Sequence, residues 1–445
     1  MKNIYKNIIR CSFLALLAIS VIGCTFDEVI DPNGPSVDGV EANATIGQLN
    51  ELVIGVESSF RFGHGTETTA SGTMARELYL FNADPRNTGD LLGKNGIGLD
   101  NNSFYSTAQW NGSYRCIKNA RLLIGAVNNT DAVNETEANG YIGFAKTIIA
   151  YELIQMLKSY DRARIDIDDP ENLGPILEFG PAMDAIRQML NEANQNLGNA
   201  GSEFVFGLSE GFEGFDTPDT FSSFNRGVAA LAAVYDNDGQ GALNALNNSF
   251  FDLNGDLDVG PKHVFGLGGN DIINQVFRVA STEEVPNNGD QIIVHNSFIE
   301  DAEEGDERVA EKTQPRPDPS TQDGLTGTHE STLYESVLSP IDIIRNEELI
   351  LVYAEASILQ NNLEDAETAL NIIRNAAGLP DYSGAITSEA LTTEMLRQRR
   401  YSLWSENHRM FDLRRYGLSN TLPIDREGDQ IFNTLPVPLS ENAND

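Results

Sequence analysis

The chain has 445 residues, of which 40% are hydrophobic and 22% are charged, and this composition is typical of a soluble globular protein with a large core. The 66 acidic residues outnumber the 30 Lys and Arg residues, so the formal net charge is -36. A surface with this charge repels phosphate backbones, which excludes nucleic acid as a partner. It also favours neutral ligands over sulfated or uronate-rich ones, although a local basic pocket could override the global charge.

The first 23 residues have the pattern of a secretion signal. Three basic residues within the first ten positions precede an apolar stretch at 11–22, which is too short to span a bilayer. The stretch ends in Val21-Ile22-Gly23-Cys24, where a small glycine precedes a cysteine thiol that can accept lipid. This ending resembles a bacterial lipobox and predicts lipid attachment at Cys24.

Residues 24–39 are rich in Pro, Gly and acidic residues, which cannot build a core, so they are predicted to form a tether. The predicted organisation is therefore a lipoprotein signal at 1–23, the tether at 24–39 and one folded domain at 40–445. Cys11 leaves with the signal and Cys24 carries lipid, so Cys116 is the one ordinary thiol and no intrachain disulfide is expected.

Apolar residues that recur every three or four positions predict amphipathic helices along much of the body. The first four predicted helices cover residues 106–127, 141–157, 182–197 and 225–233. The middle of the chain, residues 236–338, is rich in Gly, Asn, Asp and Pro. This region is predicted to form loops with minor strands, one of them at 291–294.

Two further helices are predicted at 346–360 and 363–377, with Asn361 and Asn362 making the turn and Gly378 ending the second helix. Small alanines lie where the two helices cross. Their spacing resembles that of a tetratricopeptide repeat, in which paired helices bury faces that neither buries alone. The sequence therefore predicts an αα-hairpin in a mainly helical fold.

Three C-terminal segments resemble one known family. They are the hairpin IIRNEELILVYAEA at 343–356 with ALNIIRNAAGLP at 369–380, the arginine-rich helix RRYSLWSENHRMFDLRRYG at 399–417, and the closing segment LPVPLSENAN at 435–444. Together with the lipobox, these segments look like the SusD/RagB family of nutrient-binding outer-membrane lipoproteins. The resemblance touches both ends of the chain and most of its helices.

The resemblance implies a mainly α, SusD-like helical fold with tetratricopeptide-repeat-like αα-hairpins and a loop-rich middle region with minor β structure. It also implies a monomeric lipoprotein, lipid-anchored at the cell surface of a Bacteroidetes outer membrane and seated on a SusC-type TonB-dependent transporter. Such proteins act in polysaccharide utilization and nutrient uptake, so residues 40–445 are expected to form a glycan-binding domain. With the charge argument, the expected ligand is a neutral glycan such as a β-glucan.

The arginine-rich segment has a structural interpretation as well. Guanidinium groups pair well with carboxylates, and the natural partners in this region are Glu355, Glu406 and Asp412. We expect an internal ion-paired scaffold rather than an anion-binding site. The arginines concerned are Arg399, Arg400, Arg409, Arg414 and Arg415.

Sugar binding needs flat aromatic faces together with side chains that hydrogen-bond hydroxyl groups, and loops supply such groups well. The leading candidate is the loop that contains Phe81, Asn82, Asp84 and Arg86. The alternative is a capped turn in which Asn82 and Asp84 bond to the backbone and Phe81 packs inward. Two weaker candidates are Trp110, after a polar stretch, and His329, beside polar loops of the middle region.

Oxygen-bearing side chains alternate along Asp252, Asn254, Asp256 and Asp258, as they do in calcium-binding loops. The match is partial because Leu257 replaces the usual glycine and His263 the usual bidentate glutamate. A structural calcium ion is one interpretation of this segment, and a solvated Asx-rich turn is the other. No other cofactor is expected.

The sequence contains no His-Glu-x-x-His zinc motif and no phosphate-binding loop. We therefore expect a binding protein and not an enzyme. Two alternatives stay open. One is a glycoside hydrolase that uses a pair of carboxylates, and the other is a helical-repeat scaffold for proteins or a peptide-uptake lipoprotein.

Overall fold

The computed structural model describes residues 42–169, 172–269 and 271–441. The predicted signal at 1–23, the tether at 24–39 and Cys24 lie outside these residues. Helices dominate the described body, as the sequence predicts. They are α1 (Ile46–Ser59), α2 (His64–Met74), α3 (Phe104–Asn128), α4 (Glu135–Tyr160), α5 (Phe179–Gly198), α6 (Pro218–Tyr235), α7 (Gly239–Leu246), α8 (Asn296–Glu300), α9 (Glu307–Lys312), α10 (Asn346–Leu359), α11 (Leu363–Ala376), α12 (Ser388–Ser402) and α13 (Arg409–Arg415).

Most strands are short, and the two longest, β6 and β7, lie in the loop-rich middle of the chain. They are β1 (Leu78–Phe81), β2 (Arg162–Arg164), β3 (Ile176–Glu178), β4 (Lys262–His263), β5 (Gln291–Val294), β6 (Thr313–Gln322), β7 (Leu325–Ser331) and β8 (Ile341–Asp342). The larger sheet is antiparallel with the order β1-β5-β7-β6. The predicted strand at 291–294 is confirmed as β5, and Phe81 at the end of β1 lies opposite Gln291.

Local capping chemistry sets the helix boundaries. At α1 the Thr45 hydroxyl accepts from the Gln48 amide, and the Gln48 side chain accepts from the Thr45 amide at 2.9 Å. Asn134 and Glu137 make the same reciprocal pair at the start of α4. These capping boxes satisfy backbone N–H groups that the first turn of a helix leaves without a partner.

Successive helices pack against one another, so that α1, α3, α4, α5, α6 and α7 form a continuous stack that reaches α10. The predicted αα-hairpin is confirmed as α10 and α11, with Asn361 in the left-handed region (φ 60°) at the turn. Ala366 and Ala369 are fully buried in the core that the hairpin shares with α12. Among the described helices, none is long and apolar enough to cross a membrane.

The arginine-rich segment at 399–417 is not the single helix that the sequence predicts. Helix α12 ends at Ser402 and α13 begins at Arg409. Between them Ser405 (φ 65°) and Asn407 (φ 58°) adopt left-handed backbone conformations, which a right-handed helix cannot contain.

The expected ion-paired scaffold is confirmed for Arg399 and Arg415, whereas Arg409 donates to the Ala75 carbonyl and pairs with none of the expected carboxylates. The Arg399 side chain is 1% exposed and its Nε donates to Asp412 Oδ2 at 2.7 Å. Arg415 donates to Asp412 Oδ1 at 3.0 Å and to both carboxylate oxygens of Glu355. Because these groups belong to α10, α12 and α13, the ion pairs join three helices of the C-terminal body.

Two further pairs extend from this scaffold towards the surface. Glu406, the third expected partner, pairs with Arg345 at 2.6 Å just before α10 begins. Arg400 pairs with Asp301 at 2.8 Å, but the Asp301 side chain is 58% exposed. Water screens an exposed pair, whereas a buried charge that loses its partner stays uncompensated, so removing one partner of a buried pair is expected to cost more stability.

Glu152 on α4 is a buried carboxyl group, and its burial in the core changes its pKa. Burial raises its pKa from 4.5 to about 7, although the Ser113 side chain and His64 favour the charged form. A raised pKa means that the group stabilises the fold most below about pH 4.5, and that this contribution is lost as the pH rises through about 7.

The stability of Glu152→Gln relative to the wild-type protein is expected to increase from about pH 5.5 to about pH 8. At the higher pH the wild-type protein has to bury a charged carboxylate, and glutamine removes that cost. Thermal unfolding of both proteins at the two pH values measures this difference. Glu203→Gln makes the same change on an exposed side chain and serves as the control. A stability difference for Glu152→Gln that does not change with pH would contradict the prediction.

Candidate ligand-binding site

A pocket of about 340 Å³ opens where the chain leaves β1. One wall comes from the loop between β1 and α3, a second from the first turns of α2, and a third from a segment of the loop-rich middle. The pocket is lined by Gly65, Thr66, Thr69, Leu80, Asn82, Asp84, Asn87, Phe104, Gln275 and Arg278. Sequence-distant loops therefore meet around one cavity.

Hydrogen bonds hold the β1–α3 loop in shape. Asn82 Oδ1 accepts from the Asp84 amide at 2.9 Å and from Asn87 Nδ2 at 2.7 Å. Asp84 Oδ1 accepts from the Arg86 amide at 3.0 Å, which starts a short 3-10 helix at Pro85–Asn87. This is the capped turn that the sequence left open as an alternative, and it places Asn82 and Asp84 at the pocket.

An arginine and an aromatic ring lie together at this loop. The Arg86 guanidinium lies 4.9 Å from the centroid of the Phe104 ring, which is a cation–π distance. Arg86 also pairs with Asp84 at 2.6 Å, and its side-chain hydrogen bonds hold the pKa of the Asp84 carboxyl below its ordinary value. Asp84 is therefore an ionised acceptor, and Phe104 is held in place at the start of α3.

The opposite wall supplies an amide and a second guanidinium. Gln275 is exposed, and its backbone carbonyl accepts from Arg278 Nη1 at 2.8 Å. Arg278 also pairs with Asp290, with 2.9 Å between Nε and Oδ1. The pocket thus combines one aromatic ring with amide, hydroxyl, carboxylate and guanidinium groups. This set can cover the C–H face of a sugar ring and hydrogen-bond its hydroxyl groups.

Two of the candidate aromatic residues lie in the core and not at the pocket. Phe81 is 3% exposed and stacks on Tyr79 at 5.7 Å. Trp110 is 2% exposed and packs against Tyr114 and Tyr160. We therefore assign Phe81 and Trp110 to packing, since a ligand reaches neither ring without a rearrangement.

The remaining candidate, His329, lies on β7 opposite Pro315 of β6. It is half-buried, with its Nδ1 3.0 Å from the hydroxyl of Thr328. It is not among the residues that line the pocket. The structure thus brings together Asn82 and Asp84, with Arg86 beside them, and leaves His329 apart.

The candidate calcium segment folds as two consecutive turns. Asp252 Oδ1 accepts from the Asn254 amide at 2.8 Å, and Asp256 Oδ1 accepts from the Asp258 amide at 3.0 Å. Asn346 Nδ2 donates to the backbone carbonyls of Asp252 and Asp256. Within the residues that the structure describes, no group of three or more His, Cys, Asp or Glu side chains is placed to hold a metal ion.

Sequence reasoning found Asn82 and Asp84 but missed the other residues of the pocket, among them Phe104, Gln275 and Arg278. Phe104 gave one usable signal, because it lies in a polar stretch, two residues before the predicted start of a helix at residue 106. Gln275 and Arg278 lie in the loop-rich middle, where no periodicity relates them to the β1–α3 loop.

Residues 323–437 match the SusD family. Three similar solved structures are a SusD superfamily protein from Bacteroides vulgatus ATCC 8482 (14% identity, TM-score 0.68, covering 90% of this chain and 97% of that chain), surface glycan-binding protein A from Bacteroides thetaiotaomicron (15%, 0.68, 90% and 97%) and a laminarin binding SusD-like protein (15%, 0.64, 90% and 98%). At these identities the likeness shows the fold. No curated protein matches the sequence.

Proposed function

From its SusD fold and the SusD family sequence of residues 323–437, we propose that this chain is a cell-surface glycan-binding lipoprotein. It captures an oligosaccharide or polysaccharide and releases it unchanged. The observation that carries the proposal is the pocket in which Phe104 lies beside amide and charged side chains of two separate loops.

The relatives support this class of ligand. Two of the similar structures are named as a surface glycan-binding protein and as a laminarin binding protein. The pocket of this chain has the corresponding chemistry, since an aromatic ring and hydrogen-bonding side chains line one cavity. The net charge of -36 favours a neutral glycan, such as a β-glucan, as the ligand.

Binding without cleavage is favoured by the carboxylates at the pocket. Glycosidases use two carboxyl groups about 5 to 10 Å apart, one of which donates a proton to the leaving group. Among the lining residues, Asp84 supplies a carboxylate, and this group is ion-paired with Arg86. A carboxylate whose pKa is lowered by such a pair is a poor proton donor.

Affinity electrophoresis against a panel of neutral polysaccharides tests the proposal. We expect retardation by at least one polysaccharide without the appearance of new reducing ends. The release of new reducing ends would support the glycoside hydrolase instead. If no polysaccharide retards the protein, the result would favour the protein scaffold or a peptide ligand.

We also propose that the protein is anchored by lipid on Cys24 and delivers its ligand to a SusC-type TonB-dependent transporter. The lipobox and the SusD fold support this arrangement. Copurification of such a transporter with the protein from outer membranes tests the partnership. Recovery of the protein as a monomer without any transporter would count against it.

Cys24→Ser is expected to release the protein from the membrane fraction, because each buried methylene of an acyl chain adds about 0.8 kcal/mol of membrane affinity. Fractionation of cells followed by immunoblotting measures the change. Cys11→Ser makes the same substitution within the predicted signal and leaves the anchor in place. A Cys24→Ser protein that stays as firmly bound as the wild-type protein would contradict the anchor.

A further inference from the structure

A second and larger cleft, of about 710 Å³, lies between helices α5, α6 and α7. None of the residues that line it belongs to the pocket at Phe104. Its walls are mostly amide and hydroxyl side chains, and small alanines lie among them. The lining residues that bear on a ligand are Arg187, Asn191, Asn194, Asp219, Arg226 and Asn244.

Three asparagines of this cleft have their side-chain oxygens already occupied. Asn191 Oδ1 accepts from Arg226 Nη1 at 2.9 Å, and Asn194 Oδ1 accepts from the Ser222 hydroxyl at 2.6 Å. Asn244 Oδ1 accepts from the Gln240 side chain at 3.1 Å. Because a carboxamide offers one oxygen and one NH2 group, what these three side chains can still offer a ligand is mainly N–H donors.

The two arginines of the cleft differ in their partners. Arg187 is neutralised, since it pairs with both Asp236 and Asp238. Arg226 instead donates to the Leu190 carbonyl at 2.6 Å and to neutral asparagine oxygens. Among the described residues, no carboxylate forms an ion pair with Arg226.

Within the part of the chain that the structure describes, Arg115, Arg397 and Arg409 also lack an ion pair with a carboxylate, but Arg226 is the one of these arginines that lines the cleft. Burial lowers the pKa of Arg226 to about 10, because no carboxylate compensates for the loss of water. A carboxylate ligand would supply the missing negative charge in a charge-assisted hydrogen bond. Asp219, on the first turn of α6, is exposed and is the one carboxylate among the lining residues.

The small residues of the cleft favour a flat ligand over a bulky side chain. Ala229, Ala233 and Ala245 are the apolar lining residues besides Gly241, so no deep apolar subpocket is present to hold the side chain of a peptide. The carboxylate and hydroxyl oxygens of a uronic acid can accept hydrogen bonds from the N–H donors of the cleft.

We propose that the cleft between α5, α6 and α7 is a second ligand site, which binds a uronic acid residue of an oligosaccharide through Arg226 and the amide groups of Asn191, Asn194 and Asn244. The site goes beyond the glycan capture proposed above, because it adds a carboxylate-selective contact away from the Phe104 pocket.

Isothermal titration calorimetry of the soluble protein with a galacturonic acid trisaccharide tests the site, with the methyl-esterified trisaccharide as the matched neutral ligand. We expect the acid to bind and the ester to bind at least about tenfold more weakly. Equal binding of acid and ester, binding of neither, or equally tight binding of a short peptide with a free C-terminal carboxylate would each overturn the proposal.

Asn244→Asp keeps the side-chain oxygen that accepts from Gln240 but replaces the NH2 donor with a charge that repels a carboxylate. We expect it to weaken binding of the trisaccharide at least about tenfold, a change of about 1.4 kcal/mol. Asn199→Asp adds the same charge at an exposed position outside the cleft and is expected to bind normally. Normal binding by Asn244→Asp would also overturn the proposal.

The variant Phe104→Ala distinguishes binding at this second site from binding at the Phe104 pocket. It is expected to bind the galacturonic acid trisaccharide as the wild-type protein does. Loss of this binding in Phe104→Ala would place the acid in the first pocket and overturn the second site. Conversely, if none of the neutral polysaccharides binds, the galacturonic acid trisaccharide is still expected to bind at the second site.

Discussion

Replacing Phe104 with alanine is expected to weaken binding of the neutral glycan by about 2 kcal/mol, or roughly thirtyfold. The ring lines the pocket at the start of α3 and lies 4.9 Å from the Arg86 guanidinium, so its removal takes away the one aromatic face of the cavity. Calorimetry with an oligosaccharide of the retained polysaccharide measures the loss.

Phe62→Ala is the matched control for this variant. Phe62 is also half-buried with an arginine against its ring, since Arg115 lies 4.5 Å from its centroid. It does not line the pocket. If Phe62→Ala lost as much affinity as Phe104→Ala, or if Phe104→Ala bound normally, the assignment of the pocket would be wrong.

Asp412→Ala is expected to destabilise the fold by about 3 to 5 kcal/mol. The substitution removes the carboxylate that pairs with Arg399 at 2.7 Å and with Arg415 at 3.0 Å. Arg399 is 1% exposed, so its charge would stay buried with its principal partner gone. Urea unfolding measures the change in the free energy of unfolding.

The control for Asp412→Ala is Asp301→Ala, which breaks the pair with Arg400. The Asp301 side chain is 58% exposed, so water can solvate the arginine after the substitution. We expect a loss below about 1 kcal/mol. Similar losses in the two variants would show that burial does not set the contribution of these ion pairs.

The helical body could be predicted from the sequence because helices follow from local patterns. The spacing of apolar residues in α10 and α11, together with Asn361 at the turn, specifies a hairpin from neighbouring residues alone. The pairing of Arg399 with Asp412 could also be predicted, since an arginine cluster in an acidic chain needs carboxylates nearby. The break in the arginine-rich segment was missed, although Asn407 was a usable signal because asparagine adopts the left-handed conformation more readily than most residues; Ser405 gave no such signal.

Only a part of the pocket could be predicted from the sequence. Asn82 and Asp84 could be predicted as a polar loop, but the direction of the neighbouring Phe81 depends on the strand pairing of β1 with β5, which is a long-range contact. The burial of Phe81 follows from that pairing, whereas Trp110 is buried against Tyr114 and Tyr160 in the helical core. Gln275 and Arg278 reach the pocket from a segment nearly 200 residues away, and only the folded chain brings them to Asn82.

The most direct test of glycan capture is a crystal structure of the protein with a neutral oligosaccharide that it retains. We predict an intact oligosaccharide between the β1–α3 loop and the segment of Gln275 and Arg278, with a sugar ring against Phe104. A cleaved oligosaccharide in the pocket, or an oligosaccharide bound elsewhere with no contact to this loop, would contradict the account.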